Sequence, residues 1–140
     1  IFNNITYAAN LNGGATKNGI AMNVSGESQL NNAILATGFP SGANYDSSTL
    51  MHFVSNVQEF KKIRALGSAS LMLCLVAEGV FDVYYEKGIY LWDVAAGIAL
   101  VNASGGKYLL TKMDDPYKYE VLASNSEIFE NALQKLIAIR

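Results

Sequence analysis

Residues 84–97, with the sequence YYEKGIYLWDVAAG, decide the fold. The stretch opens with aromatic residues that favour a strand, and it closes on small residues that suit a closely packed helix. Asp93 lies where that helix should begin, and Asp is a preferred N-cap because its carboxylate accepts an unpaired backbone N–H. Ala95, Ala96 and Gly97 would let another backbone approach closely. The stretch therefore predicts a strand, a short connection and then a helix, with a carboxylate where the helix starts.

Strand patterns surround this stretch on both sides. Asn18-Gly19 is a strong hairpin signal between two short β-like segments near the start of the chain. Further strands are expected at residues 34–39, 61–66, 81–85, 107–111 and 119–123. Pro40 and Gly42 are expected to end the strand at 34–39. These patterns predict an antiparallel ribbon within residues 1–30, followed by an α/β domain over residues 31–140.

Helix signals lie between the predicted strands. Asp46 or Ser47 should begin one helix, and Ser68 should cap an almost wholly apolar helix that runs to about Glu78. Ser124-x-x-Glu127 has the pattern of a capping box before the last helix. The alternation predicts an α/β fold, a layered mixed sheet with helices on both sides.

Composition narrows the function classes. The 140 residues are 51% hydrophobic and only 16% charged, which is apolar for a soluble domain and indicates surface meant for a partner. A net charge of −2 gives no electrostatic case for nucleic acid or for an anionic membrane. The sequence has no run of 18 uninterrupted apolar residues, so it predicts no membrane span. Cys74 is the single cysteine, which rules out an internal disulfide and predicts a cytoplasmic location. His52 is interpreted as a surface residue.

Residues 92–97, WDVAAG, resemble the second signature motif of the inositol monophosphatase family. Neighbouring segments agree with that family in order and spacing: RALGSA at 64–69, YYE at 84–86, ASGG at 103–106 and LASN at 122–125. The resemblance spans roughly residues 5–140. It implies the C-terminal half of the five-layered αβαβα sugar-phosphatase fold. Residues 1–30 would then be a remnant of the N-terminal antiparallel sheet.

The resemblance implies a magnesium-dependent phosphatase that hydrolyses inositol or sugar phosphates with metal-activated water. Asp93 would be a metal ligand, since magnesium prefers hard oxygen ligands; the alternative is a plain helix cap. Glu86 would accept hydrogen bonds from substrate hydroxyls, unless it is an exposed charge at a strand end. Gly67, Ser68 and Ala69 would lie beside the same substrate, unless they form an ordinary strand-to-helix turn.

The family's first signature, a Glu-Glu pair and an Asp-Pro-Ile/Leu-Asp-Gly-Thr run, is absent from the 140 residues. We therefore expect the C-terminal half of such an enzyme, with no catalytic residue of its own and no activity alone. Its expected partners are the missing N-terminal half, a phosphate monoester and a second copy in a homodimer. The alternatives are a 3'(2'),5'-bisphosphate nucleotidase, a fructose-bisphosphatase, or a non-enzymatic regulatory protein like the family members that act in transcription.

Overall fold

The computed structural model describes residues 4–10, 14–39 and 45–137, apart from the side chains at positions 49, 52 and 56. The predicted strand end at Pro40 and Gly42 and the predicted surface position of the His52 side chain lie outside the described residues. None of the helices within these ranges is long and apolar enough to cross a membrane.

The predicted hairpin is present in a small antiparallel sheet. Its strands are β1 (Tyr7–Asn10), β2 (Gly14–Lys17) and β3 (Ile20–Met22), in that order across the sheet. Between β2 and β3, Asn18 and Gly19 both have positive φ, at 51° and 80°. Positive φ at both central residues is the requirement of a type I′ turn, which explains the Asn-Gly pair.

A second, five-stranded sheet carries most of the fold. Its strands are β4 (Ile34–Thr37), β5 (Lys62–Arg64), β6 (Val83–Tyr90), β7 (Lys107–Lys112) and β8 (Lys118–Ser124). They lie in the order β5-β4-β6-β8-β7. β4 runs parallel to both of its neighbours, whereas β8 is antiparallel to β6 and β7. The predicted mixed sheet is therefore confirmed.

In the described part of the chain, four α-helices cover this sheet: α1 (Ser47–Val57), α2 (Ala69–Ala77), α3 (Leu91–Ala103) and α4 (Phe129–Leu136). Successive residues of a strand point to opposite faces. Accordingly, Tyr84 of β6 packs in one buried cluster with α2 and α3, while the adjacent Val83 packs in another with α4. The helices lie on both faces of the sheet, as the sequence predicts.

The junction between β6 and α3 differs from the prediction: the strand extends beyond residue 85, and the expected short connection before the helix is absent. β6 continues to Tyr90, because its pairing with β8 extends past an irregularity between Lys87 and Ile89. The helix then begins at Leu91, so Asp93 is its third residue and Tyr90 occupies the N-cap position. The expectation that Asp93 caps the helix is wrong.

Of the two helix caps predicted from the sequence, the one at α2 forms and the one at α4 does not. Ser68 caps α2 as predicted, since its Oγ accepts the N–H of Leu71 at 3.4 Å. The capping box before α4 does not form, because the Ser124 hydroxyl donates to the carbonyl of Asn125 instead. Asn125 Oδ1 instead accepts the N–H groups of Glu127 and Ile128, both at 3.0 Å, and so holds the turn that precedes α4.

Asn125 also belongs to a buried polar network at the end of the sheet where β4 and β6 begin. The Asp82 carboxylate accepts the Ser25 hydroxyl at 2.6 Å and the N–H of Ile34 at 2.7 Å. The Asn125 amide donates to Ser25 Oγ at 2.8 Å and to the carbonyl of Glu27 at 3.0 Å. The network therefore ties the loop after β3 to β4, β6 and the start of α4.

Gly97 lets α2 and α3 pack against each other closely. A Cβ at this position would lie 2.7 Å from Leu73 Cδ1 and closer still to Leu73 Cβ. The sequence analysis predicted that Ala95, Ala96 and Gly97 together let another backbone approach this helix. In the structure Ala95 and Ala96 are exposed, and of the three only Gly97 is buried. One glycine therefore sets how near the two helices come.

Gly97→Ala is expected to lower the free energy of unfolding by about 2 kcal/mol, because the added methyl overpacks the helix contact. The measurement is chemical denaturation. Gly26→Ala is the matched control, since a Cβ at Gly26 meets no atom within 4 Å and the residue has no positive φ. Equal stabilities of the two variants would contradict the role assigned to Gly97.

Candidate functional site

A cavity of about 440 Å³ lies between the five-stranded sheet and the start of α2. Its lining residues come from four places: Gly38 and Phe39 after β4, Gly67 to Ser70 and Met72 around the start of α2, Glu86 and Ile89 of β6, and Asp93 of α3. All the site residues singled out in the sequence line this one cavity. The sequence analysis missed Gly38 and Phe39, which directly follow a strand parallel to β6. Ligand sites commonly form at such carboxyl ends of parallel strands.

Glu86 is a buried carboxylate in the middle of β6. Only 5% of the residue is exposed, so the alternative of an exposed strand-end charge is wrong. Its Oε2 accepts the Tyr84 hydroxyl at 2.8 Å. Burial raises the pKa of Glu86 and the negative charge of Asp93 raises it further, while the bond from Tyr84 acts in the opposite direction.

Asp93 reaches the cavity from the first turn of α3 and is partly buried. A carboxylate is favourable there because the first turn carries the positive end of the helix dipole. Asp93 lies near enough to raise the pKa values of both Glu86 and Tyr84. The cavity thus holds two carboxylates whose charges interact.

The turn that leads into α2 lines the cavity beside Glu86 of β6 and Asp93 of α3. Gly67 has a φ of 72°, a left-handed conformation that glycine adopts without strain. The Ser68 hydroxyl lies 3.3 Å from that of Ser70. Backbone N–H groups in the first turn of a helix have no partner within the helix, so they can bind polar or anionic groups. The start of α2 can therefore donate hydrogen bonds into the cavity that Glu86 and Asp93 also line.

An aromatic cluster adjoins the cavity through Phe39, which is one of the lining residues. The Phe39 ring packs edge-on against Phe53 at 4.9 Å and against Tyr45 at 5.6 Å between centroids. Burial raises the pKa of Tyr45, and the charge of Glu86 adds to that effect. The cluster places apolar surface beside the carboxylates.

A metal site can be tested against these side chains. Asp93 is a suitable ligand for a hard cation, since magnesium in proteins often takes one or two carboxylates and completes its shell with water and phosphate. Within the described residues, however, there is no group of three or more His, Cys, Asp or Glu side chains that could hold a metal. Asp93 therefore fits as one ligand, but the side chains that the structure describes do not supply a complete set.

Glu86→Gln is expected to stabilise the folded protein at neutral pH. Because the folded-state pKa of Glu86 is raised, the folded state binds the proton more tightly than the unfolded state. Stability therefore falls as the pH rises above the ordinary carboxyl pKa near 4.5. The amide removes this cost and can still accept the Tyr84 hydroxyl.

The measurement is thermal unfolding of both proteins across pH 4 to 8 without added metal. The gain in Tm should grow as the pH rises and vanish in acid, where both states are protonated. A gain independent of pH would contradict the assigned pKa shift.

The model of the inositol monophosphatase family matches residues 1–139. The chain is 34% identical over 123 residues to an inositol-1-monophosphatase of Caulobacter vibrioides, covering 84% of this chain and 47% of that protein. It is 35% identical over 134 residues to the Nus factor SuhB of Pseudomonas aeruginosa, covering 91% and 49%. The chain therefore spans about half the length of the curated relatives it matches.

Comparison with a solved structure leads to the same family. The inositol monophosphatase of Anabaena superposes with a TM-score of 0.85 at 30% sequence identity. The superposition covers 97% of this chain and 55% of that one. The resemblance in sequence therefore extends to the whole described fold.

Proposed function

Because the chain belongs to the inositol monophosphatase family, we propose that it is the C-terminal portion of a magnesium-dependent phosphomonoesterase. The substrate class is inositol or sugar phosphates. Residues 1–30 would complete the sheet of the missing N-terminal half, and residues 31–140 would form the C-terminal domain. The lone Cys74 suits a cytoplasmic location, and a homodimer is the proposed assembly.

One observation carries this proposal: a single cavity is lined by Glu86, Asp93 and the start of α2. Glu86 would accept hydrogen bonds from the hydroxyls of a polyol, because a carboxylate has acceptor capacity for several donors. Gly67, Ser68 and Ala69 would donate to the same ligand. Asp93 would supply one magnesium ligand, the others belonging to a part of the protein outside this chain. Bound magnesium would stabilise charge on the phosphoryl oxygens and activate water.

The test compares the whole protein with the 140-residue chain alone. We expect the whole protein to release phosphate from inositol monophosphate with magnesium and to stop when EDTA removes the metal. The chain alone should release none, since Asp93 is a single ligand. Fructose 1,6-bisphosphate and a 3'(2'),5'-bisphosphate nucleotide, tested in parallel, distinguish the related activities. Magnesium-dependent turnover by the chain alone would overturn the proposed division of ligands.

A second candidate function is regulatory, because one relative of similar identity is named a Nus factor. In that case the protein would act through contacts with other macromolecules rather than by hydrolysis. Asp93→Asn separates the two in the cell. A cellular role retained by this variant would favour the regulatory function, and a role lost together with hydrolysis would favour the phosphatase.

A further inference from the structure

Tyr84 and Glu86 form a buried pair on one face of β6. They are two residues apart in a strand, so their side chains point the same way. Tyr84 is wholly buried against α2 and α3, and its hydroxyl donates to Glu86 Oε2 at 2.8 Å. Burial and the charge of Glu86 raise the pKa of Tyr84. The hydroxyl therefore stays protonated and remains a hydrogen-bond donor.

Gly38 closes the other side of the same carboxylate. A Cβ at Gly38 would lie 2.6 Å from Glu86 Oε2 and 2.9 Å from both Cδ and Oε1. Real Cβ atoms do not approach oxygen so closely, so Glu86 occupies the space that any other residue would fill. The carboxylate is held between the Tyr84 hydroxyl and the Gly38 backbone.

The two oxygens of Glu86 are therefore not equivalent. Oε2 accepts the bond from Tyr84, and Oε1 accepts no hydrogen bond from any residue in the described part of the chain. A carboxylate oxygen at a cavity wall can accept a hydroxyl from a ligand. Restricting the carboxylate to one orientation beforehand reduces the entropy lost on binding.

We propose that Tyr84 is a positioning residue that fixes the Glu86 carboxylate against Gly38, so that Oε1 accepts a hydroxyl of a polyol phosphate. This inference rests on the proposed function and deepens it. Tyr84 makes no contact with the substrate and acts only through Glu86. The Tyr84–Glu86–Gly38 arrangement thereby selects phosphate esters that carry hydroxyl groups over esters that lack them.

The test uses the whole protein with two substrates, inositol 1-phosphate and p-nitrophenyl phosphate, and measures the ratio of their kcat/KM values. Tyr84→Phe removes the hydroxyl and keeps the ring in the core. We expect the ratio to fall about tenfold, as for losing one hydrogen bond to a charged group. In a Glu86→Ala background the same substitution should change the ratio no further, because its target is gone.

Tyr85→Phe is the matched control. The Tyr85 hydroxyl also donates to a buried carboxylate, Glu120 Oε1 at 2.9 Å, but from the opposite face of the sheet. The control should leave the ratio unchanged. If Tyr84→Phe does not fold, Gly38→Ala displaces the same carboxylate from the other side and should lower the ratio.

An unchanged ratio in either folded variant overturns the inference, as does a loss in Tyr84→Phe that persists without Glu86. A failure of the proposed function looks different. In that case the unsubstituted protein would release phosphate from neither substrate, or would be unaffected by Asp93→Asn.

Discussion

Asp93→Asn in the whole protein is expected to lower kcat/KM for inositol monophosphate at least about a hundredfold, because a metal ion stabilises the transition state by several kcal/mol. Asparagine keeps the size and shape of the side chain but removes the negative charge with which Asp93 would bind the proposed cation. The measurement is the rate of magnesium-dependent phosphate release. Raising the magnesium concentration should recover part of the lost activity.

Asp114→Asn is the matched control. Asp114 is an exposed carboxylate in the turn between β7 and β8, so its variant makes the same change of charge away from the cavity. The control should retain full activity. Equal losses in the two variants would show that net charge, and not ligation at the cavity, governs the rate.

Asn125→Ala is expected to lower the free energy of unfolding by about 3 kcal/mol, because it removes several buried hydrogen bonds and leaves their partners unpaired. Asn125 is 1% exposed and makes hydrogen bonds through both its oxygen and its nitrogen. The substitution leaves the N–H groups of Glu127 and Ile128 without their acceptor. It also leaves the Glu27 carbonyl without this donor. Denaturation with urea measures the loss.

Asn102→Ala makes the same chemical change at an exposed position of α3. It should be neutral or slightly stabilising, because alanine has the higher helix propensity. A similar loss of stability in both variants would contradict the importance of the network around Asp82 and Asn125.

Sequence patterns sufficed for the architecture because the local signals and the tertiary packing agree. The Asn18-Gly19 turn, the Ser68 cap and the alternation of strands with apolar helices each predict the structure that forms. The turn and the cap are decided within a few residues. Packing then places the apolar faces of the helices against the sheet.

The misses share a physical cause, which is pairing between residues distant in sequence. Asp93 matches the preference of an N-cap, but pairing with β8 carries β6 on to Tyr90 and moves the helix start. Ser124 lies at the end of β8, buried in the sheet, so its hydroxyl does not cap α4, and Asn125 holds the preceding turn instead. Neither outcome can be read from a local motif.

The cavity also combines features that the sequence indicates with features that depend on contacts between distant residues. Glu86 and Asp93 were identified through the family resemblance, yet the burial of Glu86 and its contact with Gly38 depend on residues 48 positions apart. A tyrosine two residues before a glutamate in a strand was the available signal for the Tyr84–Glu86 bond. Nothing in the spacing shows that Gly38 lies against that carboxylate.

Glu86 and Asp93 are borne by one continuous segment in which β6 passes into α3 with no loop between them. An insertion or deletion between these two residues would disturb the strand pairing or the helix, so the spacing of the two carboxylates is fixed by regular secondary structure. Changes of chain length that alter the shape of the cavity are therefore expected at its other walls rather than in this segment.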